Sequence, residues 1–212
     1  MLKLIRNYEN AVVVLHEIYG INEHIKEVCA EYHERGFDIY CPSLFEHCIP
    51  YKYEQQEQAY KNFVNVCGFN ETKVNLLLSD IRGRYKKIIM IGFSVGATIA
   101  WLSGESNLCD GIVCYYGSRI RDYTDIMPSC PVLVILAQFE KSLDPSNLQK
   151  KLAGKTTVTC HVLNSHHGFC DPYSETYNYR NSEIARDLTN GFVDKIVSKQ
   201  NDMRDYFRYE SI

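Results

Sequence analysis

Short runs of wholly apolar, β-branched residues recur along this chain, separated by amphipathic stretches at helical spacing, and this alternation most limits its possible folds. Ala11–His16 reads AVVVLH, Lys87–Phe93 reads KIIMIGF, Gly111–Tyr116 reads GIVCYY and Pro131–Gln138 reads PVLVILAQ. Shorter strands are expected at Phe37–Cys41 and Thr157–Leu163. Asn22–Arg35 carries Ile25, Val28, Cys29 and Tyr32 on one helical face and stops at Gly36, a residue free to take positive φ. Tyr53–Arg84 predicts two mostly polar helices broken near Gly68–Asn70. Further helices are expected over Val95–Ser103, Ser146–Leu152 and Ser182–Lys199. Strands that are apolar on both faces need cover on both faces. The fold class is therefore α/β: one mostly parallel sheet with helices on both sides. With no internal repeat and no linker, residues 1–212 read as a single domain.

Composition narrows the function. At 212 residues and 45% hydrophobic, the chain can build a core without disulfides or metal, which excludes a disordered or disulfide-scaffold protein. A formal charge of −3 provides no basic face for nucleic acid. No apolar run approaches the roughly 20 residues of a membrane span. Neither nucleic acid nor membrane is an expected partner. The nine cysteines include no C-x-x-C, so zinc-ribbon and thioredoxin chemistry have no foothold. Met1–Asn7 has no apolar signal core, and the chain reads as cytoplasmic with free thiols.

The strongest chemical signal is Gly92-Phe93-Ser94-Val95-Gly96, a G-x-S-x-G placed directly between a strand and a helix. The glycines let the backbone turn tightly, and the helix N-terminus aims its dipole at charge developing in front of Ser94. Such a serine needs a base. His24 and His33 fall on a charged helix, His47 in a loop and His161 inside a strand. His166 and His167 follow the last strand, at the edge where sites form in parallel sheets. The acid is sought in the loop Phe139–Pro145. Its candidates are Asp144 and Glu140, with Asp144 preferred, although an Asp before Pro145 also suits a helix cap.

These segments together resemble the dienelactone hydrolase family of the α/β-hydrolases. His16-Glu-Ile-Tyr-Gly-Ile-Asn22 is similar to that family's Q-E-I-F-G-x-N, and Cys41-Pro-Ser-Leu-Phe45 to its A-P-D-L-Y. Gly92–Gly96 stands at its nucleophile elbow, Tyr115-Tyr-Gly117 at its Y-Y-G and His167-Gly-Phe169 at its H-G-F. The chain's length suggests a minimal lid; the resemblance implies an α/β-hydrolase fold, Ser94 as nucleophile and His167 rather than His166 as base. It also implies an oxyanion hole from the amides of Ile18 and Val95, and Glu17 near the nucleophile, where it influences protonation. No cofactor or metal is implied. Two features depart from the family pattern. Ser94 replaces the cysteine of the founding members, which is closer to general esterases. The family's G-x-x-D acid loop aligns on Phe139-Glu-Lys-Ser142, with Asp144 two residues late.

The expected activity is cleavage of a small ester, thioester or lactone through an acyl-enzyme. The rival is a hydrolase-fold protein that lacks a competent acid and only binds. Sixteen tyrosines and nine phenylalanines suggest aromatic walls, drawn from Tyr19, Phe45, Tyr51, Tyr53, Tyr116, Phe169, Tyr173 and Tyr177. Tyr116, Arg119 and Phe169 are candidate substrate contacts, and Arg121 is a second candidate carboxylate clamp. Glu46–Tyr60 is the expected cover of the site. The tail Asp202–Ile212 suits either a packing extension or an oligomer contact, in a monomer or a homodimer.

Overall fold

The apolar runs become the middle of one twisted sheet. The computed structural model describes residues 1–45, 49–141 and 143–198. Its strands are β1 (Leu2–Leu4), β2 (Asn10–Leu15), β3 (Asp38–Cys41), β4 (Lys87–Phe93), β5 (Gly111–Tyr115), β6 (Val132–Phe139) and β7 (Val158–His166). They lie in the order β1-β3-β2-β4-β5-β6-β7. Every ladder is parallel except β1 against β3. The six-helix set is α1 (Glu23–Glu34), α2 (Gln56–Val66), α3 (Thr72–Arg82), α4 (Val95–Leu102), α5 (Pro145–Leu152) and α6 (Tyr179–Ser198).

Strand alternation divides the core in two. Ala11, Val13, Leu15, Ile88 and Met90 face Phe63, Leu78, Trp101 and Leu152 from α2 to α5. Val12, Val14, Ile89 and Ile91 face Ile25, Cys29, Ala185 and Val193 from α1 and α6. Covering both faces is what allows the central strands to be apolar throughout. Asn22 caps α1 by accepting from the Ile25 amide at 3.1 Å, and Trp101 anchors α4 by donating its indole N–H to the Tyr123 carbonyl at 2.9 Å.

The structure adds to the sequence expectations in three places. β1, three residues at the sheet's edge, was not anticipated. β7 runs to His166 rather than Leu163, so His167 is the first residue beyond it. His24, which the sequence places on a charged helix, is buried edge-on against Phe93 with ring centres 5.0 Å apart. His47, Ser142, the first residues of the expected cover at Glu46 and the tail Asp202–Ile212 lie outside the described residues. Among the described residues no helix is long and apolar enough to cross a membrane.

Parallel strands end on the same side. Glu17, Ser94, Glu140 and His167 all follow the C-terminal ends of β2, β4, β6 and β7, the edge at which open α/β sheets place their ligands.

Candidate active site

Ser94 sits on a strained turn. Its φ of 54° and ψ of −112° are unfavourable for a residue with a side chain. Two steric constraints hold it there. A Cβ on Gly92 would lie 2.4 Å from the Gly96 carbonyl oxygen. A Cβ on Gly96 would lie 2.4 Å from the Leu15 carbonyl oxygen and 2.6 Å from that of His16. Both glycines are thus required by close backbone approach, the second because α4 rests directly on the end of β2. The Ser94 amide donates to the Tyr115 carbonyl at 2.9 Å, which fixes the turn to β5.

A continuous hydrogen-bonded chain leads away from this serine. His167 Nε2 is 2.8 Å from Ser94 Oγ, and His167 Nδ1 is 2.8 Å from Glu140 Oε1. A carboxylate on Nδ1 fixes that nitrogen as the N–H, leaving Nε2 to accept from the serine hydroxyl. Burial by itself would lower the His167 pKa. The Glu140 hydrogen bond and charge, joined by the charge of Glu17, outweigh it and hold His167 above its ordinary value of 6.5.

The preference for Asp144 is corrected. Asp144 accepts from the Asn147 amide at 3.1 Å and caps α5, whose first residue is Pro145. Glu140, the first residue after β6, reaches His167 instead.

Glu17 is buried, and its Oε1 accepts from the Tyr116 hydroxyl at 2.8 Å. Burial raises its pKa, and the imidazoles of His24 and His167 only partly oppose that. Tyr116 takes a φ of 41° to reach it. Tyr116 and Phe169 are both completely buried, which corrects their reading as substrate contacts. They back the site: Tyr116 lies against the His167 ring at 4.9 Å and against Phe169 at 5.6 Å.

In front of Ser94 opens a cavity of about 840 Å³. Ile18 and Val95 line it, and Val95 opens α4, so its N–H belongs to the first turn that has no intrahelical acceptor. The Ile18 loop is held by a buried histidine: His16 Nδ1 meets the Glu17 carbonyl at 2.6 Å while Nε2 accepts from the Leu44 amide at 2.9 Å. Of the eight aromatics named from the sequence, Tyr19 and Tyr53 line the cavity; Phe69 and Phe139, which were not named, do as well. Phe139 ends β6 beside Glu140, so a correct strand end would have disclosed Phe139 and favoured Glu140 over Asp144. Arg119 and Arg121 also reach the cavity. They share Asp122, at 3.3 Å and 3.6 Å respectively, so these three side chains together carry one net positive charge.

The sheet order and the serine elbow define an α/β-hydrolase fold. The chain belongs to the dienelactone hydrolase family, whose model matches residues 5–197. It is 38% identical over 171 residues to the uncharacterized protein YczH of Bacillus subtilis (strain 168), covering 79% of this chain and 84% of that one. It is 29% identical over 130 residues to a carboxymethylenebutenolidase of Pseudomonas putida, 55% of this chain and 54% of that one. Among solved structures, a dienelactone hydrolase-like promiscuous phosphotriesterase from metagenomic libraries shares the fold, with a TM-score of 0.72 and 16% identity. That match covers 88% of this chain and 86% of the other.

Two substitutions separate the roles read from this geometry. Gly96→Ala, which drives a methyl into backbone with no room to move, is expected to cost about 3 kcal/mol or more in urea unfolding. Asp144→Ala is expected to cost about 1 kcal/mol of stability through the lost cap and to leave hydrolase activity at the wild-type rate.

Proposed function

We propose that this member of the family is a serine hydrolase that cleaves a small ester, thioester or lactone through a covalent acyl-enzyme. The single observation that carries the reading is the chain Glu140–His167–Ser94, joined at 2.8 Å on both sides of the imidazole and opening on the cavity. Ser94 Oγ attacks the carbonyl carbon as His167 Nε2 takes its proton. Glu140 keeps the imidazole in the tautomer that accepts, then stabilises the imidazolium. The amides of Ile18 and Val95 receive the oxyanion, where the dipole of α4 favours negative charge. Collapse expels the alcohol or thiol, protonated by His167, and a water activated by the same base releases the acid.

The cavity's aromatic and apolar lining with a few charged groups suits a small, partly apolar acyl compound. Arg119 is placed to meet an anionic group on it. We read the site of action as the cytoplasm, because the eight cysteines among the described residues are all free thiols. The binding-only alternative arose from a seemingly missing acid, and Glu140 removes that motive.

Treating the folded protein with a fluorophosphonate tests the reading. The expected adduct lies on Ser94 and is lost in His167→Ala, and folded wild-type protein that takes up no label overturns it. A second test concerns pH. The base must be neutral, so activity disappears as pH falls through the His167 pKa. Because that pKa is raised, the acid limb of kcat/KM is expected above pH 6.5. Glu140→Gln removes the causes that raise it and leaves burial, so the limb moves to lower pH while turnover falls by about 10³–10⁴-fold.

A further inference from the structure

Outside the Glu140–His167–Ser94 chain, a second buried carboxylate faces the same cavity. Asp171 is 1% exposed and lies four residues beyond His167. Its Oδ2 accepts from the Tyr53 hydroxyl at 2.6 Å and its Oδ1 from the Tyr173 amide at 2.9 Å. Tyr53 belongs to the segment that leads from β3 into α2, and 118 residues separate it from Asp171 in the chain. The same hydroxyl accepts from Asn22 Nδ2 at 3.1 Å, at the start of α1. The Tyr53 ring leans on Tyr19 at 4.8 Å, and the neighbouring Tyr51 amide donates to the Tyr19 carbonyl at 2.9 Å. Tyr19, Tyr53, Ser94, His167 and Asp171 all line the cavity.

A hydrogen bond to a charged acceptor inside a protein is stronger than one between neutral groups. Here one such bond joins two loops, the strap 49–55 and the loop 167–178. Residues 167 and 171 are fixed within that second loop by the Asp171 amide on the Gly168 carbonyl at 3.0 Å and by Thr176 Oγ1 on the His167 carbonyl at 2.6 Å. Tyr53 is the point at which this strap, a wall of the cavity, meets the loop that carries His167.

We propose that Tyr53 and Asp171 form a latch that fixes the strap 49–55 as a wall of the substrate cavity. Both are positioning residues: they shape the space in which the acyl compound lies and take no part in proton transfer. The proposal rests on the serine-hydrolase reading for its kinetic consequence, but the latch itself is a structural claim with its own readout.

The test compares full-length wild type with Tyr53→Phe, which keeps the ring against Tyr19 and removes only the hydroxyl. Asp171→Asn, similar in shape but uncharged, serves as a second variant, and the double variant completes a cycle. Hydrogen exchange is expected to rise in both segments, 49–55 and 167–178, in each single variant. With p-nitrophenyl butyrate the loss is expected in KM, about tenfold, the factor that one charge-assisted hydrogen bond represents, rather than in kcat. The double variant is expected to be no worse than the poorer single one. Unchanged exchange in either segment overturns the latch. So does a fall in kcat at constant KM, which would make the pair a support for His167, and so do additive losses. Fluorophosphonate labelling of wild-type Ser94 reports on the hydrolase reading alone. If labelling fails, the exchange measurement still decides the latch.

Discussion

The site depends on one backbone contact, the approach of α4 to the end of β2. Gly96 lies so close to the Leu15 and His16 carbonyls that no side chain fits between them. That contact, with Gly92 packed beneath Gly96, forces the sharp turn that lifts Ser94 above the sheet at positive φ. It also brings the first turn of α4 beside the loop after β2, so Ile18 and Val95 line the same cavity. The strain at Ser94 and the arrangement of its surroundings thus have a common cause in one backbone packing constraint.

Behind Ser94 the site is closely packed. Tyr116, Phe169 and His167 form one aromatic layer, and Glu17 is enclosed with the Tyr116 hydroxyl as its donor. A carboxyl group that burial pushes toward its neutral form carries less charge than its formula suggests. Glu140, in contrast, meets the imidazole directly. The two carboxyl groups are divided by environment: one is hydrogen-bonded to the His167 imidazole, and the other is enclosed beside the cavity with the Tyr116 hydroxyl.

Much of this was legible in the sequence, because the signals were local. The β-branched runs gave the strands, and strand–turn–helix around Ser94 gave the elbow with its two glycines. The family resemblance then distinguished His167 from His166. What was not legible depended on strand ends and burial. Placing the end of β6 at Gln138 left the acid to be sought along a loop, whereas the strand runs to Phe139 with an irregular register and delivers Glu140 at its tip. The longer side chain of glutamate bridges a gap for which the position of Asp144 had seemed the better match. Asp144 followed a helix-capping rule that was equally visible. Tyr116 and Phe169 could be placed near the site but not turned inward, since their burial comes from packing between distant segments.

The small clamp at His16 has a consequence for acid tolerance. Its ring donates to the Glu17 carbonyl and accepts from the Leu44 amide, so only the neutral form fits, and burial lowers its pKa to about 4. Unfolded, the same imidazole would take a proton near pH 6.5. Protonating it in the folded chain therefore costs on the order of 3 kcal/mol more than protonating it unfolded. The fold bears none of that penalty above pH 6.5 and the whole of it once the pH has fallen through about 4. A histidine outside the Glu140–His167–Ser94 chain therefore helps set the acidity at which the fold around Glu17 and Leu44 loses stability.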